Sequence, residues 1–170
     1  REWFQEMFAY ARKKKLVPLS AIHRKEDADF LLNFDLPAFK IASIDLNYHH
    51  LLNQLAAYNK PMIISTGMAY IHEIAETIQL LDQKNVDDIA LLHCVSCYPP
   101  KPDQLNMRNI SIFKSLYDIP IGFSDHSNDD RIAFAAIAAG AEVIEKHVTL
   151  DKNLSGLDHK NSITIEEFEL

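Results

Sequence analysis

Ile119-Pro120-Ile121-Gly122-Phe123-Ser124-Asp125-His126, an alanine-rich helical stretch at 128–139, and Gly140 followed by Glu142-Val143-Ile144-Glu145-Lys146-His147-Val148 decide the fold. An apolar run, an amphipathic helix and a second apolar run read as strand, crossover and strand. A crossover of this length brings the chain back in the same direction, so the two strands are parallel. Working outward, the same unit repeats along the chain. Apolar runs at 16–22, 39–43, 61–66, 89–95, 119–124 and 142–148 recur at intervals of roughly 22 to 30 residues, the size of a strand-loop-helix unit. They predict six parallel strands. Helices are expected at 3–14, 25–33, 48–58, 70–84, 106–117 and 128–139, with apolar faces such as Ile71, Ile74, Ile78 and Leu81. Pro18, Pro37, Pro61 and Pro120 mark strand entrances, where a missing backbone donor costs least, and Gly140 stands where a helix C-cap belongs. Glu166 to Leu170 read as a helix cut short. The expected class is α/β with a parallel sheet, in one domain over residues 1–170.

Composition narrows the function. The chain has 170 residues, 48% of them hydrophobic, which fits a soluble domain with a core and excludes disorder and fibrous repeats. With 17 Lys and Arg against 24 Asp and Glu, the net charge of -7 argues against a nucleic-acid partner, because a phosphate backbone demands a basic face. No apolar run reaches the ~18 residues of a membrane span, and the start lacks signal-peptide architecture. Cys94 and Cys97 sit too close together to staple distant parts of the fold, so a reducing, cytoplasmic setting is expected. The chain opens on Arg1 already inside a helical pattern, which suggests a fragment.

Active sites of parallel α/β folds lie at the C-terminal ends of the strands, and the polar residues gather there. The second run ends in Lys40, Ser43 and Asp45, the third in Ser65, Thr66 and Gly67, and the fourth in His93, Cys94 and Ser96. The fifth ends in Ser124, Asp125 and His126, the sixth in Lys146 and His147. In a closed barrel His126 and His147 approach closely enough to share a Mn²⁺, Mg²⁺ or Zn²⁺ that keeps positions open for water and substrate. The alternative is two separate histidines satisfied by backbone carbonyls. Lys40, Ser43, Ser65, Ser124 and Lys146 offer donors suited to a small phosphorylated anion, or are simply solvated. No Walker loop or Gly-x-Gly-x-x-Gly run exists, and four glycines in the whole chain argue against a glycine-rich nucleotide cradle. Asp45 and Asp158 are candidates for proton transfer or for gripping sugar hydroxyls; Asp45 alternatively caps the helix that follows. Cys94-Val95-Ser96-Cys97 beside His93 has no second cysteine pair and ends an apolar strand, so Cys94 reads as a small buried residue and not as a zinc or redox site. His49, His50 and His72 fall on helices, and His23 follows the first run.

Taken in order, several motifs carry a resemblance. They are Lys40-Ile41-Ala42-Ser43, Ser65-Thr66-Gly67-Met68, Leu91-Leu92-His93-Cys94 with Tyr98-Pro99, and Gly122-Phe123-Ser124-Asp125-His126. Glu145-Lys146-His147-Val148-Thr149-Leu150 and Gly156-Leu157-Asp158-His159-Lys160-Asn161-Ser162 complete the set. Their order and spacing resemble the N-acetylneuraminate (sialic acid) synthase family, which includes legionaminate, pseudaminate and spore-coat polysaccharide synthases. The resemblance implies a (β/α)8 TIM barrel, of which this chain covers about six of eight units. The first two units and a C-terminal antifreeze-like domain have no counterpart.

It further implies a condensation of phosphoenolpyruvate with an N-acetylated amino sugar that releases phosphate. His126 and His147 would bind the metal, typically Mn²⁺. Lys40, Ser43, Ser65 and Ser124 would hold phosphoenolpyruvate, Tyr98 and Asp158 would contact the sugar, and Asp45 takes the place of the catalytic acidic residue. A homodimer is implied for the full-length protein, and an open fragment is expected to be inactive alone. Three departures stand out: Ser20-Ala21-Ile22-His23 in place of Ser-Thr-Pro-Phe, Ile44 in place of a glycine, and Ser96, a substrate-side candidate, where several members have Asn. The rival readings are another metal-dependent aldolase or isomerase on the same fold, and a catalytically dead binding domain.

Overall fold

The computed structural model describes residues 2–129 and 131–169; Arg1, Asp130 and Leu170, which the helix expectations touch, lie outside the described residues. The chain forms two compact units, Arg1–Ile64 with Ala69–Ile89, and Ser65–Met68 with Ala90–Leu170.

The first unit begins with α1 (Glu2–Lys13) and α2 (Lys25–Leu31), followed by β1 (Phe39–Ile41), α3 (His49–Ala56), β2 (Met62–Ser65) and α4 (Ile71–Asp82). β1 and β2 pair in parallel, Phe39 opposite Met62 and Ile41 opposite Ile64. Phe39, Ile41, Met62 and Ile64 are buried with Leu51, Leu52 and Leu55 of α3 and Ile74 and Leu81 of α4. The phenyl rings of Phe4, Phe8, Phe30 and Phe34 join α1 to the α2 segment, with Phe30 edge-on to both Phe4 and Phe34.

Two expectations change here. The run at 16–22 is not a strand: Leu16, Val17 and Leu19 are exposed, and only Ala21 forms a parallel bridge, to Lys40. Pro18 has no N–H for a ladder, and the segment buries only Ile22 deeply. On α4 Ile71 is exposed, while Thr77 is buried in its place and donates its hydroxyl to the Leu46 carbonyl at 2.8 Å.

In the second unit β3 (Ile89–Cys94), α5 (Arg108–Leu116), β4 (Ile121–Asp125), α6 (Arg131–Ala138) and β5 (Val143–Lys146) alternate as expected. β4 pairs in parallel with β3 on one side and β5 on the other. All five residues of β4 are buried, as befits a central parallel strand covered on both faces. Gly122 is required by this crowding, since a Cβ there would lie 2.5 Å from both Leu92 Cδ2 and the Val143 carbonyl oxygen. Gly140 closes α6 at φ 103°, and the Ala141 N–H returns to the Ala136 carbonyl.

The run at 142–148 breaks at His147. Its end becomes β6 (Val148–Thr149), which pairs in parallel with β7 (Ile163–Thr164). α7 (Ile165–Phe168) then starts with a capping box: Thr164 Oγ1 accepts the Glu167 N–H, and the Glu167 carboxylate accepts the Thr164 N–H. Among the described residues no helix is long and apolar enough to cross a membrane.

His93 sits inside this unit, its Nε2 donating to the Leu105 carbonyl at 2.7 Å and its ring against Phe113 and Phe123. Burial lowers its pKa against the opposing effect of that hydrogen bond. A depressed folded-state imidazole favours the unfolded chain once protons compete for it. Its stabilising contribution is therefore full above the ordinary imidazole value near ~6.5 and declines as the pH falls below it. Between pH 7.5 and 5.5 the urea midpoint should fall less in His93→Gln than in the parent; equal falls would remove His93 as the cause.

Candidate active site

The register of β4 and β5 builds the site. Ser124 lies opposite Glu145, and Asp125 opposite Lys146, so His126 and His147 follow as the next pair. Side chains alternate between faces along a strand, so the pairs alternate too. The Ser124 hydroxyl donates to Glu145 Oε1 at 2.6 Å. Asp125 and Lys146 meet at 2.6 Å with side chains 0% and 8% exposed. The rings of His126 and His147 return to the Ser124 side, with centroids 5.2 Å apart and planes at 61°. Cys94, opposite Ser124 on β3, places Sγ 3.9 Å from His126 Nδ1.

Two loops close on the imidazoles. The half-exposed Tyr98 ring lies 4.1 Å from that of His126 and 6.4 Å from that of His147, after which the chain passes through a cis Tyr98–Pro99 bond. Asp158 puts Oδ2 4.0 Å from His147 Nδ1. Its loop is held by Ser162 Oγ, which donates to the Asp158 carbonyl at 2.8 Å, and by the 2.7 Å contact of Thr149 Oγ1 with His159 Nδ1. Ser65 is buried and Ser96 half-buried in the same unit.

Burial, then repulsion from His147, lowers the His126 pKa, against the pull of Glu145, Asp125 and Asp158. His126 is accordingly neutral at neutral pH, the form that ligates metals. Burial, then Cys94, Asp158 and Glu145, raises the Tyr98 phenol, which stays protonated as a donor. Among the described residues no group of three or more His, Cys, Asp and Glu is arranged to hold a metal ion. Two adjacent imidazoles with a carboxylate at their edge fit a divalent cation that takes its remaining ligands from outside the protein.

Two expectations are corrected. Lys146 does not join the phosphate donors: its ammonium is buried against Asp125 and donates to the Ser127 carbonyl at 2.7 Å. Asp45 is not a helix cap, since Tyr48 occupies that position of α3. Cys94 is buried, as its reading as a small buried residue expects, and Cys97 is exposed; both are free thiols.

The first unit carries the other candidates. Lys40 is half-buried and donates to the Ile41 carbonyl at 3.0 Å. Ser43 and Asp45 share a 3-10 turn after β1, where Asp45 is buried and accepts a 2.7 Å hydrogen bond from His23 Nδ1. Sequence reasoning missed His23 and Glu145 as site residues. Glu145 was findable by alternation, two positions before His147 on the same strand face; His23 had no periodic signal.

The sequence pattern of the NeuB family matches residues 1–170. The chain belongs to the NeuB family. The N,N'-diacetyllegionaminic acid synthase of Campylobacter jejuni is 38% identical over 98% of this chain. In crystal structures, the spore coat polysaccharide biosynthesis protein SpsE of Bacillus subtilis aligns at TM-score 0.95, 37% identical over 99% of this chain and 48% of its own. The N-acetylneuraminic acid (sialic acid) synthetase of Leptospira borgpetersenii, in complex with citrate, aligns at 0.93 and 34% identity over 96% of this chain and 57% of its own. This NeuB chain spans about 50% of the length of the Campylobacter relative.

Proposed function

We propose that the protein carrying this chain condenses phosphoenolpyruvate with an N-acetylated amino sugar to a sialic-type (nonulosonic) acid, releasing phosphate. The observation that carries the reading is the His126–His147 imidazole pair, flanked by Tyr98 and Asp158, in a NeuB-family chain. The parallel β/α units with polar residues at their strand ends support membership in a (β/α)8 barrel.

His126 and His147 would hold the divalent cation through neutral nitrogens. Nitrogen donors favour Mn²⁺ over the oxygen-seeking Mg²⁺. When bound, the cation supplies electrophilic polarisation of the acceptor's carbonyl. Tyr98, kept protonated, would donate to the sugar, while the exposed Asp158 carboxylate accepts hydroxyl protons from it. Lys40, Ser43 and Ser65 would bind the anionic groups of phosphoenolpyruvate. Ser124 would join them as Glu145 yields its hydroxyl, which couples anion binding to the charge beside the imidazoles. Asp45 would serve the acceptor side.

The test is phosphate release by the intact protein. With Mn²⁺ and phosphoenolpyruvate present, adding N-acetylmannosamine or a diacetamido analogue should raise phosphate release at least about tenfold over either substrate alone. Release independent of every N-acetylated amino sugar would overturn the reading.

A further inference from the structure

Each imidazole of the pair in the second unit has its Nδ1 addressed by a neighbouring side chain. Cys94 Sγ lies 3.9 Å from His126 Nδ1, and Asp158 Oδ2 lies 4.0 Å from His147 Nδ1. Register explains the first contact. Cys94 ends β3 opposite Ser124, and alternation sends both side chains, with His126 two residues further on, to one face of the sheet. The preceding His93 turns to the other face, onto Phe113 and Phe123. Cys94 and His126 are each 6% exposed, so the contact between them is buried. Tyr98 lies against the same imidazole at 4.1 Å, with the planes at 51°.

A neutral imidazole carries one proton, and its bare nitrogen is the one that can ligate a cation. Among the described residues His126 Nε2 makes no hydrogen bond within the protein. With the proton on Nδ1 and directed at sulfur, Nε2 is bare. With the proton on Nε2, the form that free histidine prefers, the bare nitrogen would face Cys94 instead. Metal-ligating histidines as a rule donate their other N–H to an acceptor, which selects the first arrangement. At His147 the acceptor beside Nδ1 is a carboxylate, so in both rings Nε2 is the nitrogen left for a cation.

Resting on the two-histidine cation site proposed above, we propose that Cys94 is a positioning residue whose sulfur accepts the His126 Nδ1–H and leaves Nε2 bare for the divalent cation, without itself ligating it. The role explains why a thiol stands buried at the end of β3 beside a free imidazole edge, where packing alone would be met by alanine or valine.

The tautomer is read without any metal. In the intact, metal-free protein labelled with ¹⁵N-histidine, NMR at pH 8 should show His126 protonated at Nδ1 and bare at Nε2, the signal being assigned by its absence from His126→Asn. Cys94→Ala should move that proton to Nε2 and lower Mn²⁺ affinity roughly tenfold, and Cys94→Ser should recover part of both. A mere loss of packing would shift the urea midpoint of the alanine variant and leave the tautomer where it was. An Nε2-protonated His126 in the parent, or an unchanged tautomer or Mn²⁺ affinity in Cys94→Ala, overturns the assignment. So does a sulfur-to-metal charge-transfer band in the Co²⁺-loaded parent that vanishes in Cys94→Ser, since Cys94 would then be a ligand. A parent that binds no Mn²⁺ removes the cation site, and the tautomer still decides whether Cys94 accepts from His126.

Discussion

His147→Ala in the intact protein is expected to lower Mn²⁺ affinity at least about 100-fold and to take phosphate release below detection. Second-sphere partners alone typically govern 10- to 100-fold of metal affinity, and His147 is proposed as a direct ligand of a two-nitrogen site. Among the described residues no group of three or more ligating side chains is arranged to hold a metal ion. Asp158 approaches His147, at 4.0 Å, and loses its neighbour along with the ring. The variant should stay folded, since the His147 side chain is 34% exposed and its loss opens no sealed cavity. Calorimetric titration with Mn²⁺ reads the first effect and phosphate release the second; parental Mn²⁺ affinity in the variant would remove the site. Cys97→Ser is the internal control. Its exposed thiol donates to the Pro99 carbonyl at 3.5 Å, so both readouts should stay parental. Loss of metal in that variant would move the centre to the CxxC.

The β/α alternation was legible because buried parallel strands are short apolar runs between helices of amphipathic period: β1, β2, β3 and β5 each lie within an expected run, and β4 overruns its own only by Asp125. The 16–22 run failed because apolar composition does not reveal whether a segment has a partner: Leu16 and Val17 stay exposed, and Pro18 withholds a donor. The two-residue strands β6 and β7 are too short for any period to appear. In the site, the approach of His126 to His147 follows from one structural fact, that each comes directly after the end of a neighbouring strand. The sides of the sheet were not used in that reading. Alternation sends Lys146 to the face opposite His147 and Glu145 to the same face, and both roles change once it is applied. The His23–Asp45 pair spans 22 positions between separate loops, a contact that only the folded chain creates.

Lys146→Met should cost about 3–5 kcal/mol of stability, because it strands the carboxylate of Asp125 in the core without its cation. Asp125 is wholly buried and also accepts the Ser127 N–H at 2.8 Å, while Lys146 donates to the Ser127 carbonyl. One ion pair thus ties β5 to the turn that follows β4. Asp125→Ala should cost a similar amount by leaving the ammonium unpaired. The double variant should cost much less than the sum, since each single change breaks the same pair, and urea unfolding of the four proteins measures that coupling. Single costs below about 1 kcal/mol that simply add would show the pair to be incidental. A phosphate-binding Lys146 would behave oppositely, with a higher phosphoenolpyruvate KM and nearly parental stability. Register makes the consequence local: the pair lies between Ser124 with Glu145 and His126 with His147, so the buried charges on one face of the sheet hold the spacing of the reactive groups on the other.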